Sequence, residues 1–106
     1  MESVGPSAPL ESIIEGCLGC KWTIHVLGQI RKGVNRPGAI ERSIPGLTAK
    51  VLTERLVKLV DFGLLEKKVF AEVPPRVEYA LTAFGSRVAD VLDELEKIRR
   101  DFAPKG

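Results

Sequence analysis

The hydrophobic positions of this chain fall into five helical stripes and one alternating pair of segments. Leu10, Ile13 and Ile14 recur at one-turn spacing, which predicts a short helix from Leu10 to about Glu15 that buries all three. Gly16 and Gly19 then break the pattern around Cys17 and Cys20. From Lys21 to Arg31, Trp22, Ile24, Val26, Leu27 and Ile30 predict a strongly apolar central helix, ended by Gly33. Pro37 suits a first helical turn, where its missing N–H has no partner to lose, so a short helix is expected from there to about Ser43. Ile40 and Ile44 would face the core, and Pro45 with Gly46 forces a turn.

Thr48 to Asp61 is the most patterned stretch. Steps of about 100° put Ala49, Leu52, Leu56, Leu59 and Val60 on one arc, a core-facing stripe. The opposite arc carries Lys50, Glu54 and Lys58, with Val51, Thr53 and Arg55 on its shoulders. Thr48 can cap the helix by accepting from an N–H in its first turn, and the helix should stop before Gly63. Two helices joined by a tight Gly-containing turn make a helix-turn-helix candidate, a unit also common in proteins that bind no DNA.

Leu64 to Ala71 and Arg76 to Leu81 read as strands joined through Glu72, Val73, Pro74 and Pro75. In the second, Val77, Tyr79 and Leu81 alternate with Arg76, Glu78 and Ala80, the period of a sheet with one buried face. A hairpin directly after a helix-turn-helix is the wing of a winged helix, and Lys67, Lys68 and Arg76 would give it cations that reach phosphates. The other reading is a structural hairpin with solvated charges.

Thr82 can cap a last helix running to about Phe102, spanning on the order of 30 Å. Its stripe of Phe84, Val88, Val91, Leu92, Leu95 and Ile98 exceeds what one small core can cover. The expected architecture is therefore mainly α with a small β-hairpin. It is a winged helix-turn-helix that forms a homodimer through its N- and C-terminal helices. The expected interface is Leu10, Ile13, Ile14, Val88, Val91, Leu92, Leu95, Ile98 and Phe102. Packing of the last helix within its own chain is the alternative. Residues 1 to 9, with Gly5, Pro6 and Pro9, are expected to be a flexible N-terminal segment, and residues 10 to 103 one domain.

Composition narrows the classes without choosing among them. At 106 residues, 44% hydrophobic and 28% charged, the chain has the make-up of one globular domain. It has no apolar run of spanning length and no signal-peptide pattern, so no membrane partner and a cytoplasmic location are expected. The net charge is only +2, yet residues 31 to 87 hold 11 Lys or Arg against 6 Asp or Glu. A basic centre between slightly acidic ends suits a phosphate-facing module, and equally a solvated surface.

Together these residues resemble the HxlR family of prokaryotic winged helix-turn-helix transcription regulators, from Pro9 to about Ile98. The most specific part is Glu72 Val73 Pro74 Pro75 Arg76 Val77 Glu78 Tyr79, followed by Leu81 Thr82 and Gly85. Lys21 Trp22 Thr23, Ile44 Pro45 Gly46, Lys50 Val51 Leu52 Thr53 and Arg55 Leu56 are also similar. The resemblance implies a dimer built from the terminal helices, DNA binding through recognition helix and wing, and control of neighbouring genes. Three departures limit it. Ala8 stands where some members carry a sensing cysteine, one extra residue lies between Pro9 and Lys21, and Pro37 and Ala39 replace a usual aromatic and glutamate.

The expected partner is double-stranded DNA, with a small-molecule or oxidant effector as a further candidate. Lys50 and Arg55 are the best donors for guanine edges or phosphates, Thr48 and Thr53 can reach phosphates, and Val51 a thymine methyl. Glu54 can accept from cytosine or pair with Lys50 or Lys58 at helical spacing. Arg36 and Arg42 are expected to position rather than to read.

Cys17 and Cys20 form a C-x-x-C pair at the expected start of the central helix, where the helix end and Lys21 would favour thiolate. Passive thiols, a redox switch and a zinc site shared across a dimer with His25 all remain open, although no metal or other cofactor is expected. His25 reads as a core or interface residue. No phosphate loop or nucleophile motif is present, so an enzyme is not expected. The rival class is a winged helix used only for protein association, since a fold does not fix a function.

Overall fold

A computed structural model describes residues 6–104. Of the expected flexible segment, residues 1 to 5 lie outside the described residues, while Ala8 is half-buried against the core. The elements in order are α1 (Leu10–Ile13), a π-helical turn (Ile14–Leu18), α2 (Thr23–Arg31), α3 (Pro37–Ser43), α4 (Ala49–Asp61), β1 (Leu65–Phe70), β2 (Arg76–Leu81) and α5 (Ala83–Phe102).

The first helix does not end at Gly16 as its glycine suggests. It runs on through Leu18 as a π-helix, with Gly19 N–H donating to Ile14 C=O at 2.7 Å. Gly16 has a packing role instead, since a Cβ there would come within 2.8 Å of Phe62 Cζ. The central helix begins at Thr23 rather than Lys21, because Trp22 adopts φ 77°, a left-handed conformation that interrupts helical hydrogen bonding. Strand β1 is trimmed to Leu65–Phe70 and pairs antiparallel with β2, Leu65 opposite Leu81 and Phe70 opposite Arg76.

The core lies where α2, α3, α4 and the hairpin base meet. Val26, Leu27, Ile40, Leu59, Leu64 and Leu65 are essentially inaccessible, and burial of each such side chain contributes about 1.5–3 kcal/mol. Some expected core positions face outward. Leu10, Ile14, Ile24 and Ala49 are exposed, as is His25, whose ring lies tilted 6.0 Å from Trp22. The stripe on α4 is centred on Leu52, Leu56 and Leu59, so Ala49 falls off its edge and Val51 is drawn part-way in.

Loop hydrogen bonds tie the hairpin to the helices. Tyr79 N–H donates to Asn35 C=O at 2.9 Å, and Thr82 N–H to Leu64 C=O at 3.1 Å. Thr82 also caps α5, accepting from Gly85 N–H at 2.9 Å while its hydroxyl donates to Gly63 C=O at 2.5 Å. These contacts fix where the wing stands relative to α4.

Candidate nucleic-acid interface

The turn between α3 and α4 needs its glycine, because Gly46 adopts φ 86°. The Trp22 indole lies against this turn, with Cη2 3.4 Å from where a Cβ on Gly46 would stand. Two residues on, Thr48 is extended and its hydroxyl accepts from Val51 N–H at 3.2 Å, satisfying a first-turn donor as expected. Helix α4 then exposes Lys50, Thr53, Glu54, Val57 and Lys58. Thr53 holds its own hydroxyl by donating to Ala49 C=O at 2.9 Å. Val57 was hidden from a charge-based reading by being apolar, yet it is 53% exposed; the helical angle between Lys50 and Thr53 is the signal that marks it.

The expected cations sort into two sets. Arg42, Lys50, Lys58 and Lys67 have no ion-pair partner among the described residues, and Lys68 approaches Glu66 only at 4.0 Å. Arg76 instead meets Glu72 and Glu78 at 3.4 Å each and lies over the Phe70 ring at 4.1 Å. Arg36 shares Glu78 at 3.7 Å. Arg55 is mostly enclosed, its side chain 16% exposed, with only Glu54 within ion-pair distance at 4.0 Å and its Nε buried without a hydrogen-bond partner. Lys50 is therefore the freer of the two donors first placed on this helix.

The geometry matches a known family. The family model described as HxlR-like helix-turn-helix matches residues 17–106. An uncharacterized HTH-type transcriptional regulator of Synechocystis sp., sll1512, is 38% identical over 98 residues, covering 92% of this chain and 72% of that protein. The chain belongs to the HxlR-like helix-turn-helix family. A further relative, YtcD of Bacillus subtilis, is 33% identical over 95 residues, covering 90% of this chain and 75% of that one. The reduced form of the transcriptional regulator YodB from B. subtilis superposes with a TM-score of 0.79 at 30% identity, covering 92% of this chain and 94% of that chain. This HxlR-like chain is thus a transcriptional regulator of the helix-turn-helix type with a winged-helix fold.

Outside the helix-turn-helix, this HxlR-like chain corrects two expectations. Ile13, first assigned to a dimer interface, is 5% exposed and belongs to the chain's own core; Val88 and Leu92 are half-buried against that core. Leu10, Ile14, Val91, Leu95, Ile98 and Phe102 remain exposed, Phe102 at 85%. Cys17 does not stand at a helix start. It lies in the π-helical turn with 0% exposure, and burial, with the neighbouring Cys20, pushes its thiol up to about 11 against the opposing charges of Arg55 and Lys58. Lys21, expected to favour thiolate, reaches over the Trp22 ring instead, at 5.1 Å. Cys20 is half-buried, and its thiol points to Gly16 C=O at 3.8 Å. No group of three or more His, Cys, Asp or Glu suited to a metal ion occurs among the described residues, and no helix among them is long and apolar enough to cross a membrane.

Proposed function

We propose that the chain binds double-stranded DNA sequence-specifically as a homodimer, with α4 in the major groove and the hairpin on the adjacent backbone. The observation that carries this is the outward face of α4. It presents an N-terminal cap, a free Lys50, two hydrogen-bonding side chains and an apolar Val57 in one exposed row. Such a row offers donors, acceptors and a methyl contact together, the three things by which base edges are told apart in the major groove. Lys50, Thr53, Glu54 and Val57 are assigned to the groove, with Thr48, Lys58 and Arg42 toward phosphates. Lys67 and Lys68 belong to the backbone contact of the wing. Arg36, Arg55 and Arg76, each held against neighbouring side chains, position the surface, and Val51 supports it from below.

The homodimer reading rests on the exposed apolar row of α5 together with Leu10 and Ile14. Scattered exposed apolar residues need no explanation, but a continuous row on a 20-residue helix does. Two copies joined through these rows would carry two recognition helices, which two-fold binders place about 34 Å apart. Acting on DNA, the dimer would work in the cytoplasm.

Selection from a random duplex pool, followed by anisotropy titration over a range of salt, tests this. The expected result is a two-fold symmetric site whose affinity falls steeply with salt. No enriched sequence, and no complex even at low salt, would leave the winged helix as a protein-association module.

A further inference from the structure

Helix α2 carries a glycine that its own packing does not require. Gly28 stands inside the helix, where glycine is the least favourable residue short of proline. Gly16 and Gly85 each leave room that a neighbour takes, whereas a Cβ on Gly28 would meet nothing within 4 Å. The space it opens is a cleft of about 430 Å³ between α2 and α5. Its apolar lining includes Leu27, Ala89 and Leu92, extended by Ile24 and Leu95, which are each more than half exposed. Clefts that hold small molecules measure about 300–1,000 Å³ and have this mainly apolar character.

The charged groups around the cleft are matched within the chain. Arg31 pairs with Asp90 and, at 3.5 Å, with Asp93. Arg99 donates to both carboxylate oxygens of Glu96, at 2.9 and 2.6 Å. An anionic ligand would have to take a guanidinium from its carboxylate, and a cationic one a carboxylate from its guanidinium. His25 is different, since it lines the cleft, is exposed, and has no hydrogen-bond partner among the described residues. Its ring offers a hydrogen bond and an aromatic face to one ligand.

His25 also connects the cleft to the recognition helix. Its ring lies 6.0 Å from that of Trp22, and the Trp22 indole supports Gly46, two residues before the Thr48 cap. Trp22 is held at φ 77°, a conformation that bulky side chains avoid and that recurs at switch regions. A ligand that displaces His25 therefore disturbs the indole on which the turn before α4 rests.

We propose that the cleft between α2 and α5 is an effector site for an uncharged aromatic alcohol, seated on Gly28 and hydrogen-bonded to His25, and that its occupancy weakens DNA binding through Trp22. The competing occupant is a second copy of the chain, because Leu95 also belongs to the α5 row assigned to the homodimer. The cleft is recessed behind that row, with Leu27 and Ala89 only 1% and 6% exposed, which favours a small ligand.

The coupling rests on the DNA-binding reading, and separate readouts keep their failures apart. Full-length protein is titrated by calorimetry, without DNA, against 2-naphthol, which is uncharged near neutral pH, and against its anionic counterpart 2-naphthoate. Saturable binding of 2-naphthol is expected, with 2-naphthoate weaker by about tenfold or more. Operator affinity read by anisotropy should fall about fivefold or more at saturating 2-naphthol. Gly28→Met, which fills the cleft from a position with free space, should lose both the binding and the operator response while sedimenting as the wild type. No saturable heat from 2-naphthol, or undiminished binding by Gly28→Met, overturns the site. Equal affinity for 2-naphthoate overturns the ligand class. A Gly28→Met protein that sediments as a monomer makes the second copy the occupant and overturns the site as well. Binding with unchanged operator affinity overturns the coupling. Absence of DNA binding by the free protein defeats the underlying reading, while calorimetry still decides the site.

Discussion

The backbone of Gly85 lies directly against the Leu64 carbonyl, so that a Cβ on Gly85 would come within 1.9 Å of the oxygen and 2.8 Å of its carbon. Both partners are backbone, fixed by the Thr82 cap and by the Thr82 N–H bond to that same carbonyl. Gly85→Ala is expected to destabilise the fold by about 3 kcal/mol or more, since relief requires moving α5 off the hairpin. Gly28→Ala is the contrast. Nothing lies within 4 Å of its Cβ position in α2, and the change should stabilise by about 0.5–1 kcal/mol. Urea unfolding at one fixed protein concentration checks both, and coincident midpoints would contradict the packing described.

The two sets of cations predict different salt behaviour. Lys58→Ala should weaken operator binding about equally across sequences and reduce the slope of log affinity against log salt by about one contact. Arg76→Ala should leave that slope nearly unchanged, because its charge already faces Glu72 and Glu78, and should instead loosen the wing by removing the stack on Phe70. Anisotropy titrations of the two variants at several salt concentrations separate these outcomes. Equal changes in slope would mean that Arg76 leaves its carboxylates for phosphate.

Exposure divides the apolar residues of the terminal helices in a testable way. Leu95→Glu places a charge on the open row of α5 and should yield a folded monomer by sedimentation, with an unchanged far-ultraviolet dichroism spectrum. Ile13→Ala should do the opposite, keeping self-association while lowering stability by about 2–4 kcal/mol through a cavity in the core. A Leu95→Glu protein that still sediments as the wild type would remove α5 from the interface.

Much of this fold was legible in the sequence because its strongest signals are local. Thr48 and Thr82 cap the helices that they precede, Gly33, Gly46 and Gly63 take the left-handed turns that end or join helices, and Pro37 opens α3. The misses are tertiary. Gly16 reads as a breaker until Phe62 is seen to need its space, and Ile13 reads like Leu10 until α1 is laid on the core. For the site, the outward arc of α4 was readable as an arc, but Arg55 and Arg76 differ from Lys50 only in what surrounds them. Periodicity carries no record of that.

The environment of Cys17 makes a further prediction, for stability against pH. Burial raises its thiol from about 9.0 to about 11. Between those values the folded chain keeps a proton that the unfolded chain releases. The stabilisation is therefore complete below about pH 9 and is lost as pH rises through about 11. At about 1.4 kcal/mol per pKa unit, the loss is on the order of 3 kcal/mol. Tyr79, also pushed up by burial, adds a slope of the same sign. It does so equally in a Cys17→Ala variant, so the comparison isolates the thiol. Cys17→Ala should be less stable than wild type at neutral pH by a cavity term that stays constant, and the gap should narrow only above about pH 9. Urea unfolding of both proteins across that window, with a reductant present, reads the difference. A gap that does not change with pH would mean that the Cys17 thiol ionises as freely in the folded protein as in the unfolded chain.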